Sequence, residues 1–434
     1  MQAVSALRPV RVDRAGARQD SGAGWPLAIH GRTMRHRAMN EIERLYSEVC
    51  VGLDPAQRRR LRPMGPSAGG RTVIAGRSMV NLSSNDYLGL AQHPLLIERA
   101  SEWAARWGTG SSASRLVCGN LEPFEGLEAQ LARGKGKPAA LILGTGFQAN
   151  AGVLPALLDH QVLGAEPLVY ADRLNHASIH LGLRAAGVRQ IRYQHNDLDH
   201  LEELLVRDAG DKRPRFIVTE TVFSVDGDCV DLDDLVGLAE RFGAFLYVDE
   251  AHATGVFGPG GFGLAAGYGE RVDFVMGTFS KALGSFGAYV ACSESLRDYL
   301  VNRCAGLIYS TALPPPVLGA IGAALELLPQ LDDERARVLR HGATLRAAFA
   351  AAGLDCGASA SQIVPVILGE AEACLALGGA LEAEGVLAIA IRPPTVPNGT
   401  ARLRFAASAA HSDEDIATVG ALLPRLAAQY RSTA

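Results

Sequence analysis

Between residues 91 and 300, seven short apolar runs alternate with stretches whose apolar residues recur at helical spacing: Ala139–Leu143, Leu168–Ala171, Ile191–Gln194, Phe216–Thr219, Ala244–Asp249, Val272–Met276 and Ala288–Cys292. A run that is apolar at consecutive rather than alternate positions suits a strand buried on both faces, and strands separated by helices suit a mainly parallel sheet covered on both sides. The helical half of the pattern is clear after Asp231, where Leu232, Leu235, Leu238 and Ala239 share one face and Gly243 stands where the helix should end. The expected class is α/β: a large domain over 91–325 and a smaller C-terminal α/β domain over 326–434. Ligands of such sheets sit in the loops at the carboxyl ends of strands. Polar residues directly after each apolar run are therefore the candidates for function.

The flanks are read from punctuation. Ile42, Leu45, Tyr46 and Val49 recur at helical spacing, and the run Arg58-Arg59-Arg60-Leu61-Arg62-Pro63 is expected to end that helix with solvated cations opposing the helix dipole. Arg71–Ile74 and Met79–Leu82 flank Ala75-Gly76-Arg77 as a hairpin would, so 39–90 reads as an N-terminal helix and hairpin. After Pro314-Pro315-Pro316, a helix at about 317–330 leads to helices near 333–352, 371–385 and 412–429 and strands near 363–368, 387–391 and 402–406. Residues 1–38 carry seven arginines against Asp13 and Asp20 without apolar periodicity, as a disordered leader would, and Met34 or Met39 is an alternative start.

Composition excludes more than it assigns. A net charge of −4 gives no electrostatic case for nucleic acid or an anionic membrane as partner. No apolar run reaches the ~18 residues of a membrane span. Seven cysteines without Cys-x-x-Cys spacing suit a reduced, cytoplasmic protein, and no metal is expected.

Lys281, in Gly277-Thr278-Phe279-Ser280-Lys281-Ala282-Leu283-Gly284, follows a buried-looking run. An amine held there is deprotonated easily and suits Schiff-base chemistry, unless it simply snorkels out of its loop. Asp249 ends its own run and needs a cation, such as a protonated pyridine nitrogen, or else caps a helix. Gly144-Thr145-Gly146-Phe147 offers a glycine turn into a helix start, where free amides attract phosphate, and Thr278 and Ser280 could add hydroxyl donors. His176 and Ser224 follow strands too; either could serve a ring-shaped cofactor or merely satisfy its own turn.

Together with these signals, Ser84-Asn85-Asp86-Tyr87-Leu88-Gly89, Asp249-Glu250-Ala251-His252-Ala253-Thr254-Gly255, Thr278-Phe279-Ser280-Lys281 and Tyr309-Ser310-Thr311-Ala312-Leu313-Pro314 resemble the α-oxoamine synthases. These are fold-type-I pyridoxal-phosphate transferases that condense an amino acid with an acyl thioester and lose carbon dioxide. The resemblance spans about 40–430 and implies pyridoxal 5′-phosphate as cofactor. It implies that Lys281 holds the cofactor, Asp249 pairs with its ring nitrogen, His252 and Ser224 bond its ring oxygen and His176 stacks on the ring. The amides of Gly146 and Phe147 and the Thr278 hydroxyl would hold phosphate, and Thr311 would reach the cofactor phosphate of a neighbouring subunit in a homodimer with shared sites. Arg404, with Asn85 nearby, would clamp the amino-acid carboxylate, while Arg59, Thr395 and Arg392 would contact substrate.

The Ile391-Arg392-Pro393-Pro394-Thr395-Val396-Pro397 stretch resembles the branch that joins L-alanine to a pimeloyl thioester, carried on coenzyme A or on acyl carrier protein. Rival readings are the relative that joins glycine to acetyl-coenzyme A, 5-aminolevulinate synthesis, an aminotransferase, and a silent partner subunit. Gly110-Ser111-Ser112-Ala113-Ser114-Arg115 is less glycine-rich than in many members, which bears on acyl-chain selection.

Overall fold

The computed structural model describes residues 40–431; the expected leader over 1–38 and Met39 lie outside the described residues. The described residues divide into two compact units, 40–54 and 55–431. Within the first, the helix Glu41–Val51 starts at Asn40, whose side chain accepts from the Glu43 amide while the Glu43 carboxylate accepts from the Asn40 amide. This reciprocal cap satisfies two of the donors a helix start leaves free. The helix ends at Val51, so the arginine run does not close it, contrary to expectation. Pro55 lacks an N–H and disfavours helix in the residue before it, and Arg58–Arg62 follow in non-helical backbone.

The strands of the second unit are β1 Ser67–Ala68, β2 Arg71–Ile74, β3 Arg77–Asn81, β4 Ala139–Leu143, β5 Leu168–Asp172, β6 Gln190–Tyr193, β7 Arg215–Glu220, β8 Ala244–Asp249, β9 Phe274–Thr278, β10 Ala288–Cys292, β11 Ile363–Gly369, β12 Val386–Leu387, β13 Ile389–Ile391 and β14 Ala401–Ala406. Seven of them form the main sheet in the order β4-β10-β9-β8-β7-β5-β6, with β10 antiparallel to both neighbours and the remaining pairs parallel. Alternate residues feed two cores. Leu141, Val169, Val218 and Met276 pack on one face; Ile142, Tyr170, Ile217 and Val248 pack on the other. That two-sided burial is why the sequence shows continuous apolar runs rather than alternation.

Two strand expectations need correction. The run expected at Val272–Met276 forms its strand at Phe274–Thr278, because the Asp273 carboxylate accepts the Leu246 amide at 2.7 Å before the ladder begins at Phe274. The strand end therefore moves to Thr278, and Lys281 falls in the turn just beyond. The single strand expected at 387–391 is two: β12 pairs parallel with β3, whereas β13 pairs antiparallel with β14. Ala388 sits between two different sheets, β1-β2-β3-β12 and β11-β14-β13. The N-terminal hairpin thus shares a sheet with the C-terminal part of the chain. No helix among the described residues is long and apolar enough to cross a membrane.

Candidate active site

The parallel register sets the carboxyl ends of β7, β8 and β9 side by side, with Glu220 opposite Asp249 and Asp249 opposite Met276. Lys281 follows β9 in a tight turn. Thr278 Oγ1 donates to the Gly287 carbonyl at 2.7 Å and accepts the Ser280 amide at 3.1 Å, and the Gly284 amide closes on the Lys281 carbonyl at 2.9 Å. Gly284 has φ +61, and a Cβ there would meet the Ala91 nitrogen at 2.4 Å, so both conformation and space require glycine.

Lys281 does not snorkel outward. Its Nζ lies 2.8 Å from His252 Nε2. Burial pushes the amine down to about 8, Asp249 and Glu220 resist that fall, and the Arg404 charge assists it. Burial, reinforced by Lys281 and Arg404, also holds the His252 imidazole well below its ordinary value. His176 is lowered by burial despite Asp249. Glu220 moves the other way, well above the usual carboxylate range, because it is buried beside Asp249.

Asp249 is 3% exposed. Its Oδ2 accepts from Asn150 Nδ2 at 2.9 Å and its Oδ1 from the Ala251 amide at 2.9 Å. It caps a turn, since no helix follows. Asn150 is itself fixed by the Tyr247 hydroxyl at 2.6 Å and by Ser178 at 2.9 Å. His176 satisfies local backbone as well as facing the pocket: its Nδ1 accepts the Ser178 amide at 3.3 Å, and its own amide donates to Glu220 at 2.6 Å. The helix Gly146–Leu157 is capped by Thr145, which accepts the Gln148 amide at 3.0 Å, and its start completes the pocket wall.

These side chains enclose a cavity of about 220 Å³ that brings together Lys281, Asp249, His252, His176, Thr278 and the Gly146-Phe147 turn. Arg404 and Asn85 join through Tyr87: Arg404 Nη2 donates to Asn85 Oδ1 at 3.1 Å and to Tyr87 Oη at 3.3 Å. The Ser224 carbonyl, not its hydroxyl, takes part here, accepting Arg404 Nε at 2.6 Å, and Ser224 lines a separate small cavity with Thr395 and Arg402. Arg59, Thr395 and Arg392 lie apart from the lysine. Arg59 donates to Thr395 Oγ1 at 2.9 Å and Arg392 to the Arg58 carbonyl at 3.1 Å, on a separate cavity of about 770 Å³. Thr311 is exposed, bridges Ser114 through its backbone, and lies outside the lysine pocket.

Sequence reasoning singled out neither Glu220, Asn150 nor Tyr87. Glu220 carried the same signal as Asp249, an acid at the end of an apolar run, and Tyr87 lay inside the Ser84–Gly89 stretch. Elsewhere, His195, Asp226 and Asp228 bring ligand-type atoms within 4.8 Å of one another. Asp226 is already paired with Arg402, and His195 with Asp172 at 3.0 Å and Asp228 at 3.1 Å, so charge in this cluster is balanced by protein groups.

The family model for class I and II aminotransferases matches residues 77–421, and the chain belongs to that family. More particularly, it is similar to the 8-amino-7-oxononanoate synthase of Gluconacetobacter diazotrophicus, 56% identical over 369 residues that cover 84% of this chain and 92% of that one. Among solved structures, SPT with PLP matches at a TM-score of 0.80 and 28% identity, over 89% of this chain and 96% of the other. The 8-amino-7-oxononanoate synthase of Francisella tularensis matches at 0.70 and 26% identity, over 82% and 99%.

Proposed function

We infer that this chain is a pyridoxal-phosphate-dependent acyltransferase that condenses L-alanine with a pimeloyl thioester, releasing carbon dioxide and free thiol and forming 8-amino-7-oxononanoate for biotin synthesis. The observation that carries the reading is the lysine pocket: an amine depressed to about 8, a buried aspartate and a helix start around one cavity. The donor set fits the cofactor. Lys281 is a primary amine for its aldehyde, Asp249 a carboxylate held by neutral donors for its ring nitrogen, and the Gly146 and Phe147 amides a cradle for its phosphate, to which Thr278 would add its hydroxyl by turning it from the Gly287 carbonyl. When bound, pyridoxal phosphate supplies an aldehyde for Schiff-base exchange and an electron-poor ring that accepts electrons from the substrate α-carbon.

The chain's own groups would do the rest. Lys281, about half uncharged at pH 8, would hold the cofactor and afterwards take and return the α-proton. Asp249 would pair with the ring nitrogen, His176 would cover the ring and His252 would bond its oxygen, and Ser224 would have to turn its hydroxyl toward the pocket to reach the same oxygen. Arg404 has Nε and Nη2 committed to protein oxygens, while Nη1 makes no hydrogen bond among the described residues; that end meets the alanine carboxylate beside Asn85. Arg59, Arg392 and Thr395 line the larger cavity and suit the acyl side, with coenzyme A or acyl carrier protein as carrier.

The chain would work as a cytoplasmic homodimer in which Thr311 reaches the partner's cofactor phosphate. Support comes from the apolar side chains exposed near that position, Tyr309 at 84% and Val117 at 77%. We likewise assign 39–90, 91–325 and 326–434 as N-terminal, large and small domains. Borohydride reduction of the loaded protein followed by peptide mapping tests the pocket, with the cofactor mass expected on Lys281. Thiol release from pimeloyl thioester tests the acceptor, and release that does not depend on L-alanine would refute it.

A further inference from the structure

A continuous chain of hydrogen bonds runs from Arg404 on β14 to the Lys281 amine. Arg404 Nη2 reaches Tyr87 Oη at 3.3 Å, Tyr87 Oη lies 2.6 Å from His252 Nδ1, and His252 Nε2 lies 2.8 Å from Lys281 Nζ. Tyr87 is fully buried, so no bulk water competes for its hydroxyl. That hydroxyl has one proton, its acceptors are His252 Nδ1 at 2.6 Å and Asn85 Oδ1 at 3.2 Å, and the Gln362 amide lies against it on the donor side with Arg404. A guanidinium can only donate, so Arg404 occupies a lone pair of the tyrosine oxygen and makes its O–H the stronger donor. Asn85 Oδ1 already accepts from the same guanidinium at 3.1 Å. The proton therefore goes to the shorter contact, His252 Nδ1. Burial and the Lys281 and Arg404 charges keep the imidazole neutral, and its single ring proton is left on Nε2, facing Lys281.

We propose that Tyr87 is a positioning residue whose hydroxyl locks His252 in the Nε2–H tautomer, so that the imidazole donates to Lys281 and holds that amine in its uncharged, nucleophilic form. An Nε2–H ring cannot accept from an ammonium; it can only donate to a neutral amine. The inference rests on Lys281 being the cofactor-bearing amine. Asp249 and Glu220 also face Lys281 and raise it, whereas Arg404 lowers it; His176 completes the ring of titratable groups. Without the Tyr87 hydroxyl those groups stay in place, but His252 becomes free to offer Nε2 as an acceptor, which stabilises the ammonium.

The test is the pH dependence of reductive methylation of Lys281 in the full chain freed of cofactor, read by mass spectrometry of its peptide, with melting temperature measured alongside. Wild type should show a midpoint near 8. In Tyr87→Phe the midpoint should rise by about one pH unit, and in a His252→Phe background the same substitution should move it no further. A purely packing role would lower the melting temperature and leave the midpoint still. An unshifted midpoint in folded Tyr87→Phe overturns the proposal. Should that variant not fold, the ring nitrogens of His252 in the wild type decide: nitrogen NMR should show protonated Nε2 and bare Nδ1, and the opposite tautomer overturns the proposal. A wild-type Lys281 that titrates like an ordinary lysine would bring down the assignment of Lys281 itself, whereas a normal wild type with an unshifted variant removes only the role of Tyr87.

Discussion

At the residue scale the chemistry turns on Lys281 and Arg404. Lys281→Ala should bind substrates yet lose turnover by several orders of magnitude, since neither Schiff-base exchange nor α-proton transfer retains its amine; circular dichroism would verify the fold beside a steady-state assay. Arg404→Lys should raise the alanine Michaelis constant, because one ammonium cannot replace a guanidinium bonded at once to Ser224, Asn85 and Tyr87. Thr395→Val, which removes the Arg59 partner, should weaken the thioester by about two- to tenfold, the cost of one neutral hydrogen bond. The two variants should fall on different substrates in the same kinetic matrix. Lys281, Asp249 and His176 were legible as candidates because each stands at, or within a few residues of, the end of an apolar run. Tyr87 was not, because its contact with His252 is made 165 residues away along the chain and nothing local marks it.

Elements show where sequence patterns stop. The main sheet was legible because burial on both faces writes itself into every strand as a continuous apolar run. Its β9 edge was not, since Val272 is as buried as a strand residue yet lies ahead of the ladder, and only the Asp273 contact with the Leu246 amide fixes where pairing begins. Likewise no local pattern reveals that Ala388 separates strands of two sheets; partner choice, not apolarity, splits 386–391. The arginine run misled for the reverse reason. Its charges suit a helix end, but Arg62 pairs with Glu382 at 2.7 Å and Arg59 with Thr395, both far along the chain. The Lys281 turn gives the element its test: Gly284→Ala should cost about 1–3 kcal/mol of stability, seen as a lowered melting temperature, and should loosen cofactor retention by displacing the turn.

For the molecule as a whole, stability should depend on His195. Burial alone would lower its imidazole, but the hydrogen bond to Asp172 and the Asp228 carboxylate 3.1 Å away outweigh that and raise it to about 10. The folded value lies above the ordinary one of about 6.5, so this contribution is complete below about pH 6.5 and is lost as pH climbs toward 10. Denaturant midpoints measured from pH 6 upward should fall across that window. His195→Gln should lower stability at pH 6 by about 1.5–3 kcal/mol, the worth of hydrogen bonds to charged groups, and should flatten the profile. The central claim, however, is the identity of the two substrates. It is tested most directly by the mass of the product formed when the loaded protein meets a matrix of amino acids and acyl thioesters. L-Alanine with pimeloyl thioester should give 8-amino-7-oxononanoate as the dominant product with release of carbon dioxide, whereas preferential product from glycine and acetyl-coenzyme A would contradict the account.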